Sequence, residues 1–208
     1  MIKKLTYSIL AGVAISIGCI IYLLCSNKIV GAILFSVGIL MVMEFKFLLF
    51  TGYVPKEREN QPVKEYLINS AFVFIGNLLG AMLTALVISL TRLQDSIYTA
   101  AKAICEVKLS DNLLSIFILS ILCGIIIAAI VKAENYKMQV LYVAMMIAVF
   151  ILSGYEHVVA NAFYLSITLS IFTWQGLLFM LVCLLGNFAG GFLFSFINSN
   201  TASKENNL

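Results

Sequence analysis

The sequence predicts an all-helical protein that crosses a membrane six times, with its second and fifth spans interrupted. Three observations carry that expectation. The first is composition: 62% of the 208 residues are hydrophobic, 11% are charged and mean hydropathy is +1.05, which is more apolar surface than a soluble domain of this size can bury. The second is the length of the apolar runs, since a bilayer core takes about 20 apolar residues per helix. The third is a repeated pattern, in which a span broken by polar residues is followed by Gly-Asn-x-x-Gly.

The first span runs from Leu5 to Cys25. Lys3 and Lys4 ahead of it look like the start of a signal peptide, but the apolar region is too long and no small-x-small cleavage site follows, so a transmembrane helix is expected. Gly12 and Gly18 suit close helix packing in lipid. After the turn Ser26-Asn27-Lys28, the second span covers Ile29 to Thr51 and runs into Glu44-Phe-Lys46 and Thr51-Gly52. Backbone that unwinds at this depth is tolerated only where protein or a cavity satisfies it. The polar stretch Pro55 to Lys64 leaves any second half-helix very short. Glu44 and Lys46 do not share a helical face, so they pair only if the chain is unwound; the alternative is that Lys46 adds positive charge to a pore mouth.

The third span, Phe72 to Leu90, holds Gly76-Asn77-Leu78-Leu79-Gly80. A buried asparagine needs partners, and the flanking glycines let another backbone approach; Asn77 is assigned to packing. Arg92 to Asp111 is amphipathic, expected as a helix on the outer surface that delivers Lys108 to the fourth span, Leu113 to Val131, which is smooth except for Gly124. The fifth span, Val140 to Leu152, breaks at Ser153-Gly154 and resumes to Ser170, and the sixth, Gly176 to Ile197, carries Gly186-Asn187-Phe188-Ala189-Gly190.

The repeated motif implies an internal duplication of a three-helix unit, residues 1–91 and 109–200 joined by segment 92–108, all within one integral-membrane domain. Three is odd, so the second copy enters the membrane from the opposite side. Inverted repeats with interrupted helices in corresponding positions point to a transport path at the midplane. In this reading Thr51 and His157 occupy equivalent positions of the two halves. His157 is the one histidine, set beside Glu156 in an apolar span, and an intramembrane ionisable residue reads as functional by default. Asn161 lies one turn on, on the same face. Glu156 is expected to face away from the pore and to accept hydrogen bonds from the broken backbone, since a carboxylate in the lumen would repel an anion.

Charge gives the orientation. With six spans the cytoplasmic side holds Lys3, Lys4, Lys56, Arg58, Lys64, Lys132, Lys137 and Lys204, against Lys28, Arg92, Lys102 and Lys108 outside. That bias puts both termini in the cytoplasm and explains the net charge of +3 without nucleic acid. The cysteines at 19, 25, 105, 123 and 183 have no C-x-x-C spacing and read as packing residues, and no metal or cofactor is expected. An intramembrane enzyme is disfavoured because G-x-S-x-G, H-E-x-x-H and paired intramembrane aspartates are absent. A neutral-solute channel of aquaporin type would need Asn-Pro-Ala in each half, whereas Pro55 and Pro62 are expected in a loop.

The stretch Gly-Tyr-Glu-His-Val-Val-Ala-Asn161 is similar to the signature of the formate/nitrite transporter family, Gly-Phe-Glu-His-Ser-Val-Ala-Asn. Phe35-Ser36-Val37-Gly38 with Leu49-Phe50-Thr51-Gly52, and Leu185-Gly186-Asn187 with Gly190-Gly191, resemble its second and last helices. The resemblance implies an aquaporin-like six-helix bundle, a homopentamer in a lipid bilayer with one pore per protomer, passing small monovalent anions. It implies that Thr51 and His157 face each other at the pore centre with Asn187 bonding nearby. It also places Phe35, Ile39, Leu49, Phe50, Ile127 and Phe150 at two apolar constrictions, and Lys108 where a lysine raises the local positive potential. Three features depart from the family pattern: Lys46 and Leu48 replace a glycine and an acid, Gly124 replaces an asparagine, and the half-helix after the loop is short. The mechanism implied is passage as a neutral weak acid, with the proton supplied through His157.

Overall fold

The computed structural model describes residues 2–57, 61–133 and 138–205. Arg58 and Lys137, which enter the charge bias, lie outside the described residues, as does the side chain of Lys204. The helices are α1 (Ile2–Leu24), α2 (Lys28–Glu44), α3 (Phe50–Glu57), α4 (Val63–Ser89), α5 (Gln94–Ser110), α6 (Leu113–Lys132), α7 (Gln139–Leu152), α8 (Val158–Ile167) and α9 (Trp174–Glu205), with a 3-10 turn at Ser170–Phe172. Four of them, α1, α4, α6 and α9, are long and apolar enough to cross a membrane. The segments expected as the second and fifth spans form pairs of shorter helices, α2 with α3 and α7 with α8, with the breaks where polar residues fall; the chain is a multi-pass membrane protein.

Local signals set the element ends. Asn27 caps α2 by accepting from the Ile29 and Val30 amides, and Asn112 caps α6 by accepting from Ser115, each satisfying donors that a helix start leaves open. The polar segment after the third span forms α5, which buries Ile97, Ala101 and Cys105. Pro55 lies inside α3, not in a loop as expected, and Pro62 precedes α4. Pro55 is the sixth residue of this eight-residue helix, past the first turn, so it removes one bond from an already short ladder.

Small residues bring the long helices together in two matching pairs. A Cβ on Gly12 would lie 2.1 Å from the Asn77 carbonyl oxygen, and one on Gly80 2.1 Å from that of Ile9, so α1 and α4 touch backbone to backbone. In α6 and α9 the same contact recurs: a Cβ on Gly190 would meet the Ile121 oxygen at 2.1 Å and one on Gly124 the Asn187 oxygen at 2.5 Å. Gly124 is therefore the counterpart of Gly12 in helix packing. An asparagine has no room there, so this position does not correspond to a functional asparagine in this chain.

The two break regions face opposite ends of the bundle. Lys4 of α1 reaches Tyr53 of α3, and Val131, near the carboxyl end of α6, packs on Gly52. At the other break, Cys19, far along α1, reaches the Ala160 carbonyl of α8. The core lies between these half-helices, where α8 is buried along its whole length.

Candidate functional site

Each broken span stops in the same way. At the end of α2, the Lys46 amide donates to the Met43 oxygen (3.3 Å) and the Phe47 amide to that of Val42 (2.9 Å); at the end of α7, Gly154 donates to Ile151 and Tyr155 to Phe150, both at 3.1 Å. This is a Schellman-type stop, which turns on one left-handed residue. That residue is Gly154 (φ 71) in the second half and Lys46 (φ 54) in the first.

The unwound residues after each turn are held by an asparagine from another span. Asn77 Oδ1 accepts from the Phe50 amide (2.7 Å), while its Nδ2 donates to the oxygens of Leu48 (2.8 Å) and Ser8 (2.7 Å). Asn187 does the same in the second half: Oδ1 accepts from Val158 (2.9 Å), and Nδ2 donates to Glu156 (2.7 Å) and Ser120 (2.8 Å). Both asparagines are fully buried. All these bonds go to backbone, so Asn187 is a clamp on the break and not a pore-lining donor, and Asn77 has the same role and not packing alone. By these matching bonds Leu48 corresponds to Glu156, Leu49 to His157 and Phe50 to Val158. Thr51 is therefore not the repeat equivalent of His157, as expected from the motif spacing; it lies two residues further along than that equivalent.

Thr51 and His157 nevertheless meet. Thr51 Oγ1 is 2.9 Å from His157 Nε2, with both residues buried. His157 is also the residue that caps α8: its Nδ1 accepts from the Ala160 amide (3.2 Å). A ring nitrogen that accepts carries no proton, so the hydrogen is on Nε2, which donates to Thr51. The cap bond thus fixes both the orientation and the tautomer of the imidazole. The Phe150 ring stands edge-on to it with centroids 6.0 Å apart, and Phe35 stands edge-on to Phe150 at 6.1 Å.

Two cavities lie near this pair, one reaching Leu49 and Gly52 on either side of Thr51 in sequence and the other lined by His157 itself. One, of about 410 Å³, is lined by Ile39, Lys46, Leu49, Gly52, Tyr53 and Lys56 among others, on the α3 side. The second, of about 360 Å³, is lined by Phe35, Lys108, Phe150, Glu156, His157 and Asn161, on the α5 side. Four of the six expected constriction residues therefore flank the two cavities. Phe50 and Ile127 line neither; the Phe50 ring turns to α4 and packs edge-on against Phe74 at 5.6 Å.

Lys108 and Glu156 differ from expectation. The Lys108 ammonium bonds the Glu156 carboxylate directly, and Asn161 Nδ2 donates to the same oxygen at 2.8 Å. Glu156 thus lines the α5-side cavity and takes side-chain donors; only its main-chain oxygen serves the break, through Asn187 and the Cys183 thiol (3.5 Å). Lys108 is neutralised at contact distance, so it does not project an unbalanced positive charge. Glu44 and Lys46 form no ion pair among the described residues. Sequence reasoning missed the shared clamp and the left-handed Lys46; aligning the two breaks turn to turn, by Phe47 with Tyr155, would have exposed both.

A multi-pass helical membrane protein in which two interrupted helices bring a buried hydroxyl and imidazole into contact fits the class of membrane channels and transporters with interrupted helices. The particular family follows from comparison: residues 1–199 match the formate/nitrite transporter family, and the chain belongs to it. Among solved structures, it is similar to a pentameric formate channel with formate bound, with a TM-score of 0.82, 22% identity and coverage of 97% of this chain and 96% of that one. It is similar also to an ion channel of the same family, with a TM-score of 0.81, 23% identity and coverage of 97% and 90%. No curated protein matches the chain.

Proposed function

We propose that this protein is a channel or transporter for small monovalent weak-acid anions such as formate, nitrite or hydrosulfide, in which permeation is proton-linked through His157. It works as a homopentamer in the cytoplasmic membrane, with both termini in the cytoplasm, and catalyses no covalent reaction. Its two three-helix units, 1–91 and 109–200, insert in opposite senses and share one path. The observation that carries the proposal is the buried Thr51–His157 contact, with one cavity reaching Gly52 beside Thr51 and another lined by His157. Family membership and the likeness to a formate channel support the substrate class.

The chemistry follows from what each group offers. A bare anion loses its hydration at the apolar rings of Phe35 with Phe150 and Ile39 with Leu49, which is costly, whereas its neutral acid crosses far more cheaply. Thr51, whose hydroxyl accepts from His157, can still donate to a permeant oxygen. Protonating His157 on Nδ1 would break its cap bond to Ala160. The ring therefore acts as a hydrogen-bond donor at rest and takes up a proton only as the anion arrives to stabilise the imidazolium. Glu156, neutralised by Lys108, does not repel the anion.

The test is solute uptake by proteoliposomes across formate, nitrite, hydrosulfide, acetate, chloride and glycerol. Uptake of the weak acids, faster with an inward proton gradient and well above that of chloride and glycerol, is expected. Chloride passing as well as formate at every pH would sink the proton-linked mechanism, and glycerol passing best would favour a neutral-solute channel.

A further inference from the structure

The α3-side cavity carries a charge that the Thr51–His157 pair does not use. The second half stops at Gly154-Tyr155-Glu156, where the glycine makes the left-handed turn and the acid is paired with Lys108. The first half has Lys46-Phe47-Leu48 at the matching positions, so the turn residue is a cation and the position of the acid is apolar. A lysine at φ 54 is strained where glycine would not be. Such strain is typically retained where the side chain has work to do.

Lys46 is exposed and lines the cavity together with Lys56 and Glu57. The Glu57 carboxylate accepts from Gln61 Nε2 at 3.0 Å, and Lys4 adds a further cation at Tyr53, 3.5 Å from its hydroxyl. Glu44, the nearest acid in sequence, forms no ion pair with Lys46 among the described residues. The two mouths are thus electrostatically unequal: the cation at the α5 side is cancelled by Glu156, and no acid occupies the equivalent place at the α3 side.

We propose that Lys46 is the anion-collecting residue of the α3 mouth, concentrating the conjugate base of the permeant acid in that cavity before it reaches Leu49 and Thr51. This rests on the transport reading above. A unit charge about 4–8 Å from an anion in water-like dielectric changes its local concentration by about two- to fivefold, and salt screens the effect.

The experiment measures initial rates of labelled formate uptake into right-side-out and inverted membrane vesicles containing the full-length protein, at about 20 mM and about 500 mM ionic strength. The proteins are wild type, Lys46→Gln, Lys46→Gly and Lys46→Arg. In one vesicle orientation the half-saturating formate concentration is expected to rise about two- to fivefold for the Gln and Gly variants at low salt. It should stay unchanged in the opposite orientation, converge on wild type at high salt, and be retained by Lys46→Arg. Lys46→Gly relieves the backbone strain, so its thermal stability should rise while capture falls, which separates collection from a structural role. Gln and Gly variants that match a formate-conducting wild type from both faces, or that shift it equally from both, overturn the proposal for Lys46 and leave the transport reading standing. No formate flux in wild type overturns the transport reading and this inference with it.

Discussion

Replacing Asn187 removes the clamp on the second break, and its cost can be worked from the bonds. In Asn187→Ala the Val158 amide is left buried without its acceptor, and the Glu156 and Ser120 oxygens lose a donor. A buried donor left open costs about 1–3 kcal/mol. Glu156 keeps the Cys183 thiol, so the carbonyl losses are smaller; the sum is about 2–4 kcal/mol. Asn187→Asp is the sharper variant. It keeps the acceptor for Val158 but replaces the two-donor amide with an acceptor oxygen facing the Ser120 and Glu156 carbonyls, so a nearly isosteric change should destabilise at least as much as alanine. Asn77→Ala should cost a similar amount, with its loss adding to that of Asn187→Ala to within about 0.5 kcal/mol because the two clamps share no partner. Thermal unfolding in detergent, calibrated against denaturant, compares wild type with the three single variants and the double alanine variant. A loss below about 0.5 kcal/mol for Asn187→Ala, or an Asn187→Asp protein as stable as wild type, would refute the clamp.

Other outcomes follow from the same contacts. Gly124→Ala places a methyl 2.5 Å from the Asn187 oxygen and 3.0 Å from the Gly191 amide, and should destabilise by about 1–3 kcal/mol through overpacking, checked by the same unfolding assay. Lys46→Gly should raise stability by about 1 kcal/mol, because the left-handed backbone no longer carries a Cβ. Lys108→Met strands the buried Glu156 carboxylate and should cost about 3–5 kcal/mol, while Lys108→Met combined with Glu156→Gln should recover most of it; a double variant no better than the single one would show that the ion pair is not the source of the loss.

The multi-pass class was legible because lipid-length apolar runs leave few alternatives, and both interruptions were legible because polar residues at membrane depth need a reason. Gly154 announced its turn, since glycine takes a left-handed φ freely. Lys46 did not, because nothing in a lysine marks that conformation, and only comparison with the other break exposes it. The family resemblance, carried by the residues around His157, is borne out by the match over residues 1–199. The roles of individual polar residues were harder to read. Glu156 and Asn187 were given the wrong partners because a carboxylate and an amide can serve backbone or side chains equally well, and which they serve depends on where α5 and α9 come to lie. Thr51 was placed opposite His157 correctly in space but for the wrong reason: the two halves match at Leu49, and α3 carries Thr51 on to the imidazole.

The most direct measurement is formate uptake by proteoliposomes under an imposed proton gradient, comparing wild type with His157→Asn. Asparagine can still cap α8, so the fold should survive and any loss reports on the ring. Wild type should take up formate in proportion to the gradient, and His157→Asn should lose that dependence while keeping its thermal stability to within about 1 kcal/mol. Gradient-driven uptake that is undiminished in a folded His157→Asn protein would contradict a proton-linked path through the histidine.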